Sequence, residues 1–184
     1  MGNKSISDQE NRSVTRLAYF LKMRGEGRST LKIVPKDALT GLIGGFLTIF
    51  SLVILTNITS IGWLIAPFGA SCVLAFGVWN SPLSQPRNII GGHVISTFAG
   101  LSVYHLFGAS PWSIGLAVGL AVAAMMLTKT THPPAGADPL VVMMGEYSWG
   151  LLVSPVLIGS VIIVLLALLI NNLRSDRKYP TFWV

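Results

Sequence analysis

The sequence predicts an all-α, polytopic membrane protein, and three observations predict it. Of 184 residues, 52% are hydrophobic and 11% charged, less than half the charged share of a soluble domain. The charges are segregated: between Ala38 and Leu173 only Arg87, Lys129, Asp138 and Glu146 are charged. Apolar stretches recur at lengths close to the ~20 residues that cross a bilayer. The net charge of +6 sits mostly beside those stretches. Positive-inside bias accounts for it, so no nucleic-acid partner is expected.

Residues 1–36 form a cytoplasmic basic segment with Lys4, Arg12, Arg16, Lys22, Arg24, Arg28, Lys32 and Lys36. Ser7-Asp-Gln-Glu10 has capping-box spacing. Val14, Leu17, Ala18 and Leu21 recur at helical spacing, which predicts a short amphipathic helix on the membrane surface. No cleavable signal peptide is expected. Gly25-Glu-Gly27 ends that helix.

The membrane domain is expected over 37–173, with a cytoplasmic tail over 174–184. A first span covers 38–56, with small residues Gly41, Gly44 and Gly45 for close packing. A second covers 61–79 and is interrupted by Ala66-Pro-Phe-Gly-Ala-Ser71. A third covers 88–107 and carries Gly91-Gly92-His93, with His105 near its far end. Gly108-Ala-Ser-Pro111 turns into a fourth over 112–127, and a last span covers 149–169. Arg174, Arg177 and Lys178 close the region, with Tyr179, Phe182 and Trp183 as interface anchors. Cys72 is alone, so no intrachain disulfide forms.

Thr130-Thr-His-Pro-Pro-Ala-Gly-Ala-Asp-Pro-Leu140 stands apart from this pattern. Two adjacent prolines fit a helix start, where their missing N–H groups go unused. The spacing predicts a short helix from Ala135 to about Gly145, too short to cross alone. Thr130 to Pro134 therefore run extended into the membrane, buried in protein or lining a polar cavity.

Pro134-Ala-Gly-Ala-Asp138 also repeats Pro67-Phe-Gly-Ala-Ser71 as Pro-x-Gly-Ala-Ser/Asp. The chain thus divides into two units of three segments, 38–107 and 112–171. If both middle segments cross, all 13 Lys and Arg lie on the cytoplasmic side, both termini are cytoplasmic, and the second unit is inverted. If both re-enter instead, Arg87 and Lys129 move outside. The charge bias favours six segments in two inverted repeats, the pattern of transport folds with a midplane site.

Two half-helix N-termini meeting near the midplane suit a small anion. The candidate donors are the backbone N–H groups of Phe68, Gly69, Ala70 and Ser71 and of Ala135, Gly136 and Ala137. Gly69 and Gly136 allow close backbone approach. His132, Asp138, His93, Lys129 and Arg87 are candidates for tuning charge or carrying a proton. Each has a plainer role beside that one. Asp138 caps its own helix or pairs with Lys129 or Arg87. His132 fixes loop backbone, His93 fills a tight crossing, and Lys129 and Arg87 snorkel. The chain carries no metal-ligand spacing, phosphate loop or cofactor motif, so neither metal nor cofactor is expected.

Thr131-His-Pro-Pro-Ala-Gly-Ala-Asp138 resembles the signature of the HPP family of integral membrane proteins. Ala66 to Ser71, Ser81-Pro-Leu-Ser-Gln-Pro-Arg-Asn-Ile-Ile-Gly-Gly-His93 and the Tyr179-Pro180 ending resemble family segments too. Plastid and cyanobacterial members are associated with nitrite transport. The resemblance implies an integral protein of a bacterial inner membrane that carries nitrite or a similar anion, not an enzyme. Some relatives add a regulatory CBS region, which this length does not hold. The alternatives are a sensor or assembly module using the basic N-terminal helix, and an intramembrane enzyme using His132 and Asp138. The glycine-rich run 115–119 suits internal packing or a homo-oligomer.

Overall fold

The computed structural model describes residues 18–23, 27, 29 and 33–183. The N-terminal unit ends at Ile33, and the rest of the chain forms a second unit from Val34. In the first, residues 18–21 are helical. The expected capping box and most of the amphipathic stripe lie outside the described residues.

The second unit is helical throughout, with no strand among the described residues. Helix α1 is Pro35–Thr59, opened by Pro35 and closed by Ser60 at φ 57°. Its 25 residues reach about 37 Å at the α-helical rise, enough to cross. Thr40, Gly44, Thr48 and Leu52 recur every fourth residue and form the buried face. Leu42, Phe46 and Phe50 are exposed, as lipid-facing residues should be.

Residues 61–65 are then non-helical, with Ile65 extended (φ −117°, ψ 147°). Their backbone is satisfied locally: Trp63 donates its main-chain N–H to Thr56 Oγ1 (3.1 Å) and its indole N–H to Thr59 Oγ1 (2.7 Å). Helix α2, Ala66–Cys72, starts on Pro67 and continues as a wider π-helical turn, Val73–Gly77. A 3-10 turn, Pro82–Ser84, leads into α3, Pro86–Phe107. Helix α4, Pro111–Leu127, opens with a capping box between Ser110 and Ser113.

The second interrupted segment follows. Residues 130–132 are non-helical, Pro133–Ala137 is a 3-10 turn, and α5 is Asp138–Gly145. The predicted start at Ala135 shifts because the double proline tightens the first turn. Helix α6, Ile158–Asn172, is entered through a π-helical turn, Leu152–Leu157. Ser154 there is extended (φ −133°, ψ 117°), so the last span is interrupted where the sequence reading had it continuous. A proline inside the run removes a helical hydrogen bond, and the preceding residue leaves the α region.

Among the described residues, three helices are long and apolar enough to cross a membrane: Pro35–Thr59, Pro86–Phe107 and Leu152–Asn172. Hydrogen bonds gather one end of the unit. Asn171 donates to Ala75 C=O (3.0 Å), Arg177 to Phe76 C=O (2.9 Å), and Tyr179 OH to Ser84 C=O (2.8 Å). Arg177 also reaches Asp37 at the start of α1 (2.7 Å). Arg87 donates to Thr128 C=O (3.0 Å) and Asn88 to Thr131 C=O (2.9 Å). Tyr179 is 2% exposed. It is therefore an internal tie and not the interface anchor its aromatic character suggested.

The interrupted segments lie against glycine. A Cβ on Gly92 of α3 would stand 2.6 Å from His132 Cβ and 2.9 Å from Thr130 O. One on Gly159 of α6 would stand 2.5 Å from the Phe68 ring. Only a bare Cα permits either approach, and these two contacts set the depth of the site.

Candidate functional site

Ser71 sits near the end of α2, His93 two turns into α3, His132 just before the double proline and Asp138 at the head of α5. All four are buried, and Asp138 is 1% exposed. They form one hydrogen-bonded chain. Asp138 Oδ2 lies 2.8 Å from His93 Nδ1. His93 Nε2 lies 2.8 Å from Ser71 Oγ, which lies 2.9 Å from His132 Nε2. His132 Nδ1 ends the chain 2.8 Å from Leu83 O.

Second contacts fix the members. Thr97 Oγ1 donates to Asp138 Oδ2 at 3.3 Å. Ser71 Oγ lies 3.2 Å from Pro67 O, one helical turn back. Ser96 donates to Ala135 C=O at 2.5 Å and so pins the 3-10 turn to α3. Phe68, fully buried, stands edge-on to the His93 ring with centroids 5.1 Å apart. The imidazoles of His93 and His132 are also 5.1 Å apart. Asp138 Oδ1 is buried with no hydrogen-bond partner.

The two proline-opened turns thus meet at their ends. Ser71 and Asp138, the equivalent positions of the Pro-x-Gly-Ala-Ser/Asp repeat, take the two ring nitrogens of one histidine. The sequence singled out His93, His132, Asp138 and Ser71, and these four are together. Two readings of Asp138 change. It makes no side-chain cap on α5, and its ionic partner is His93, not Lys129 or Arg87. Lys129 is exposed at φ 58°, and the Arg87 guanidinium is bonded to Thr128 C=O. His132 and Asp138 touch only through His93 and Ser71.

The expected backbone donors are taken up by the turns themselves. Phe68 N–H donates to Ile65 C=O and Ala135 N–H to His132 C=O, both at 3.0 Å. These bonds close the first turns, and Asp138 N–H goes to Ala135 C=O. The helical ladder takes the N–H groups of 69–71 and 136–137. This backbone would therefore attract an anion only through the partial positive charge of the two helix starts. Gly69 and Ala70 are exposed, and Gly136 and Ala137 half-buried. A Cβ on Gly69 or Gly136 would meet nothing within 4 Å. Thr97, Ser96 and the Leu83 carbonyl were not foreseen. Thr97 lies one turn after His93 on the same face, a spacing that signals a shared site. No sequence signal marks a main-chain carbonyl. Among the described residues, no three His, Cys, Asp or Glu side chains group as metal ligands.

The fold and site define a helical membrane protein that buries a chain of titratable side chains between two interrupted segments. The chain belongs to the HPP transmembrane family, whose transmembrane region matches residues 31–180. It is similar to two transmembrane proteins of Dictyostelium discoideum. One is 34% identical over 179 residues, covering 91% of this chain and 58% of the relative. The other is 40% identical over 128 residues, covering 65% of this chain and 45% of the relative. The chain therefore spans about half the length of these relatives. No solved structure matches it.

Proposed function

We propose that this protein carries a small inorganic anion, nitrite foremost, across the membrane past the Ser71–His93–His132–Asp138 chain. The meeting of the two proline-opened turns carries the reading. It sets equivalent, glycine-flanked backbone from both halves around one buried polar centre. Net-neutral polar side chains and backbone dipoles suit a weakly basic anion better than fixed lysines, which would hold it. The groups proposed to face the anion are the backbone of residues 69–71 and 136–138, acting through the partial positive charge of the two helix starts.

The six-segment, inverted reading has its own support. The start of α1, the turn before α3, the loop after α4 and the end of α6 share one end through the bonds given above. Lys36, Arg87, Lys129, Arg174, Arg177 and Lys178 belong to those segments. Under positive-inside bias that end is cytoplasmic, with both termini. A bacterial inner membrane rests on the resemblance alone, since both relatives above are from an amoeba.

Purified protein in liposomes should take up nitrite saturably, more than nitrate or chloride. Gly136→Leu should abolish that uptake and leave the protein folded, because the space beside Gly136 is open. Full uptake in folded Gly136→Leu would remove 136–138 from the path.

One observation favours a second reading. Ser71, His93 and Asp138 are bonded in the order of a serine hydrolase. The Ser71 hydroxyl is 0% exposed and shared with His132, which opposes nucleophilic use. Covalent labelling of Ser71 by a fluorophosphonate would establish it.

A further inference from the structure

We propose that Ser71 is the bridging atom of a proton relay that moves one proton between the Asp138–His93 pair and His132. This rests on the transport reading above and names the second species moved, a proton accompanying the anion. The argument is a count of hydrogens. Leu83 O accepts only, so His132 Nδ1 must carry a hydrogen. Ser71 has one hydroxyl hydrogen for two imidazole nitrogens, at 2.8 and 2.9 Å.

With Ser71 donating to a ring nitrogen, two arrangements of zero net charge satisfy every bond from Asp138 to Leu83. In the first, His132 is neutral, and Ser71 O–H donates to its bare Nε2. Ser71 Oγ then accepts from His93 Nε2–H. One hydrogen is left between His93 Nδ1 and Asp138 Oδ2, so that pair is neutral overall. In the second, His132 is doubly protonated and donates to Ser71 Oγ. Ser71 O–H then donates to His93 Nε2, and His93 Nδ1–H donates to the Asp138 carboxylate.

Passing from the first to the second breaks His93 Nε2–H and Ser71 O–H and forms Ser71 O–H and His132 Nε2–H. The shared hydrogen settles on His93 Nδ1. No atom is gained or lost, and the charge stays zero. One positive charge appears on His132 and one negative charge on Asp138. Each hop covers under 3 Å between heavy atoms, within hydrogen-bond reach.

Two details fit a relay better than a static prop. Pro67 O, 3.2 Å from Ser71 Oγ, gives the hydroxyl hydrogen a third acceptor. It can wait there while both imidazoles donate, so the hydroxyl can reset. Asp138 Oδ1 is the one side-chain polar atom of these four residues with no hydrogen-bond partner. A bare carbonyl oxygen tolerates that better than a carboxylate oxygen, so the resting arrangement is the first, with Oδ1 as the free end.

Other titratable groups on the packed elements are few. Helix α2 adds Cys72, and α3 adds Arg87, Tyr104 and His105 beyond His93. Helix α1 has Lys36 and Asp37 in its first turn, α5 has Asp138 alone, and α4 and α6 have none. Among the described residues, no lysine or arginine is bonded to these four side chains, so their charge depends on where their own proton sits.

The test compares two modes of nitrite movement in proteoliposomes. Net uptake driven by a pH gradient needs a proton to pass, whereas nitrite–nitrite exchange at equal pH does not. Ser71→Ala should lower net uptake at least about tenfold more than exchange, and Ser71→Thr, which keeps the hydroxyl, should restore it. Equal loss of both modes in folded Ser71→Ala would make Ser71 structural and overturn the relay. Nitrite uptake without proton movement in the wild type would also overturn it, leaving transport intact.

Should no anion move at all, the transport reading fails and the relay is read directly. In protein labelled with 15N-histidine in bilayers, Nε2 of His93 and of His132 should both show averaging between bare and protonated forms. Ser71→Ala should fix each in one form. Nitrogens already fixed in the wild type across pH would overturn the relay.

Discussion

The protein buries two polar networks, and they are built from opposite kinds of group. At the end where α1 begins and α6 finishes, Arg177 lies under the Trp79 ring (5.4 Å) and donates to Phe76 C=O, Asn171 Oδ1 (2.6 Å) and Asp37. At the centre, Asp138, His93, Ser71 and His132 bond to one another. A guanidinium donates only and never loses its proton, so each bond in the first network has one possible direction. Each member of the second can both give and accept. Fixed direction suits a clasp, and reversible direction suits a path. Bond lengths are alike in the two, and Arg177 and Asn171 are buried as the central four are, with only Asp37 part exposed, so these measures do not tell the networks apart. Donor chemistry does.

Substitutions sharpen that contrast, and the largest effect belongs to the clasp. Arg177→Ala removes a buried charge and leaves Phe76 C=O and Asn171 Oδ1 without their donor. It should cost about 2–3 kcal/mol, from the two acceptors left unsatisfied and not from the ion pair, since Asp37 is part exposed and keeps Arg174. Thermal unfolding in detergent would read it, and an unchanged melting curve would refute the clasp. Gly92→Ala should act on both networks' terms. Its Cβ would press on His132 Cβ and Thr130 O, costing about 1–3 kcal/mol by overpacking. It should also reduce pH-driven uptake more than the stability loss explains. Stability and uptake falling in step would mean His132 needs no exact register.

The smallest effect is at Tyr179, whose hydroxyl donates to Ser84 C=O. Tyr179→Phe should cost about 1 kcal/mol. Burial pushes the Tyr179 phenol above its ordinary range. A raised folded value stabilises below the unfolded one, near pH 10, and that contribution is lost as pH rises further. The wild type should therefore lose stability above about pH 10 by a margin that Tyr179→Phe lacks. Identical alkaline curves would show that Tyr179 does not contribute.

The broad architecture was legible because its signals are local. Hydropathy marks the spans, and the paired prolines mark where a helix must start. The repeated Pro-x-Gly-Ala puts Ser71 and Asp138 at matching places. What joins them was not legible. His93 and Asp138 are 45 residues apart, and Asp138 had charged candidates, Lys129 and Arg87, closer to hand in ordinary ion-pair terms. Those belong to the end of the fold, where carbonyls and water compete for them. The depth of His132 depends on the missing side chain of Gly92, which the sequence shows only as a crowded crossing. The break at Ser154 had a local signal in Pro155 that the span's hydropathy overrode, whereas the inward turn of Tyr179 depends on tertiary partners that no window of sequence contains.

The clasp also bears on the order in which the protein is made. Asn171, Arg177 and Tyr179 serve carbonyls of Ala75, Phe76 and Ser84 and the carboxylate of Asp37. On the ribosome, those early groups are synthesised some hundred residues before their partners. Until residues 171–179 emerge, Asp37 has neither Arg174 nor Arg177, and the turn before α3 has carbonyls waiting. Assembly therefore closes from the last helix back onto the first. A chain stopped short of Arg177 would enter the bilayer with its hydrophobic helices in place and that end unlatched, a state membrane quality control can recognise by its unpaired polar groups.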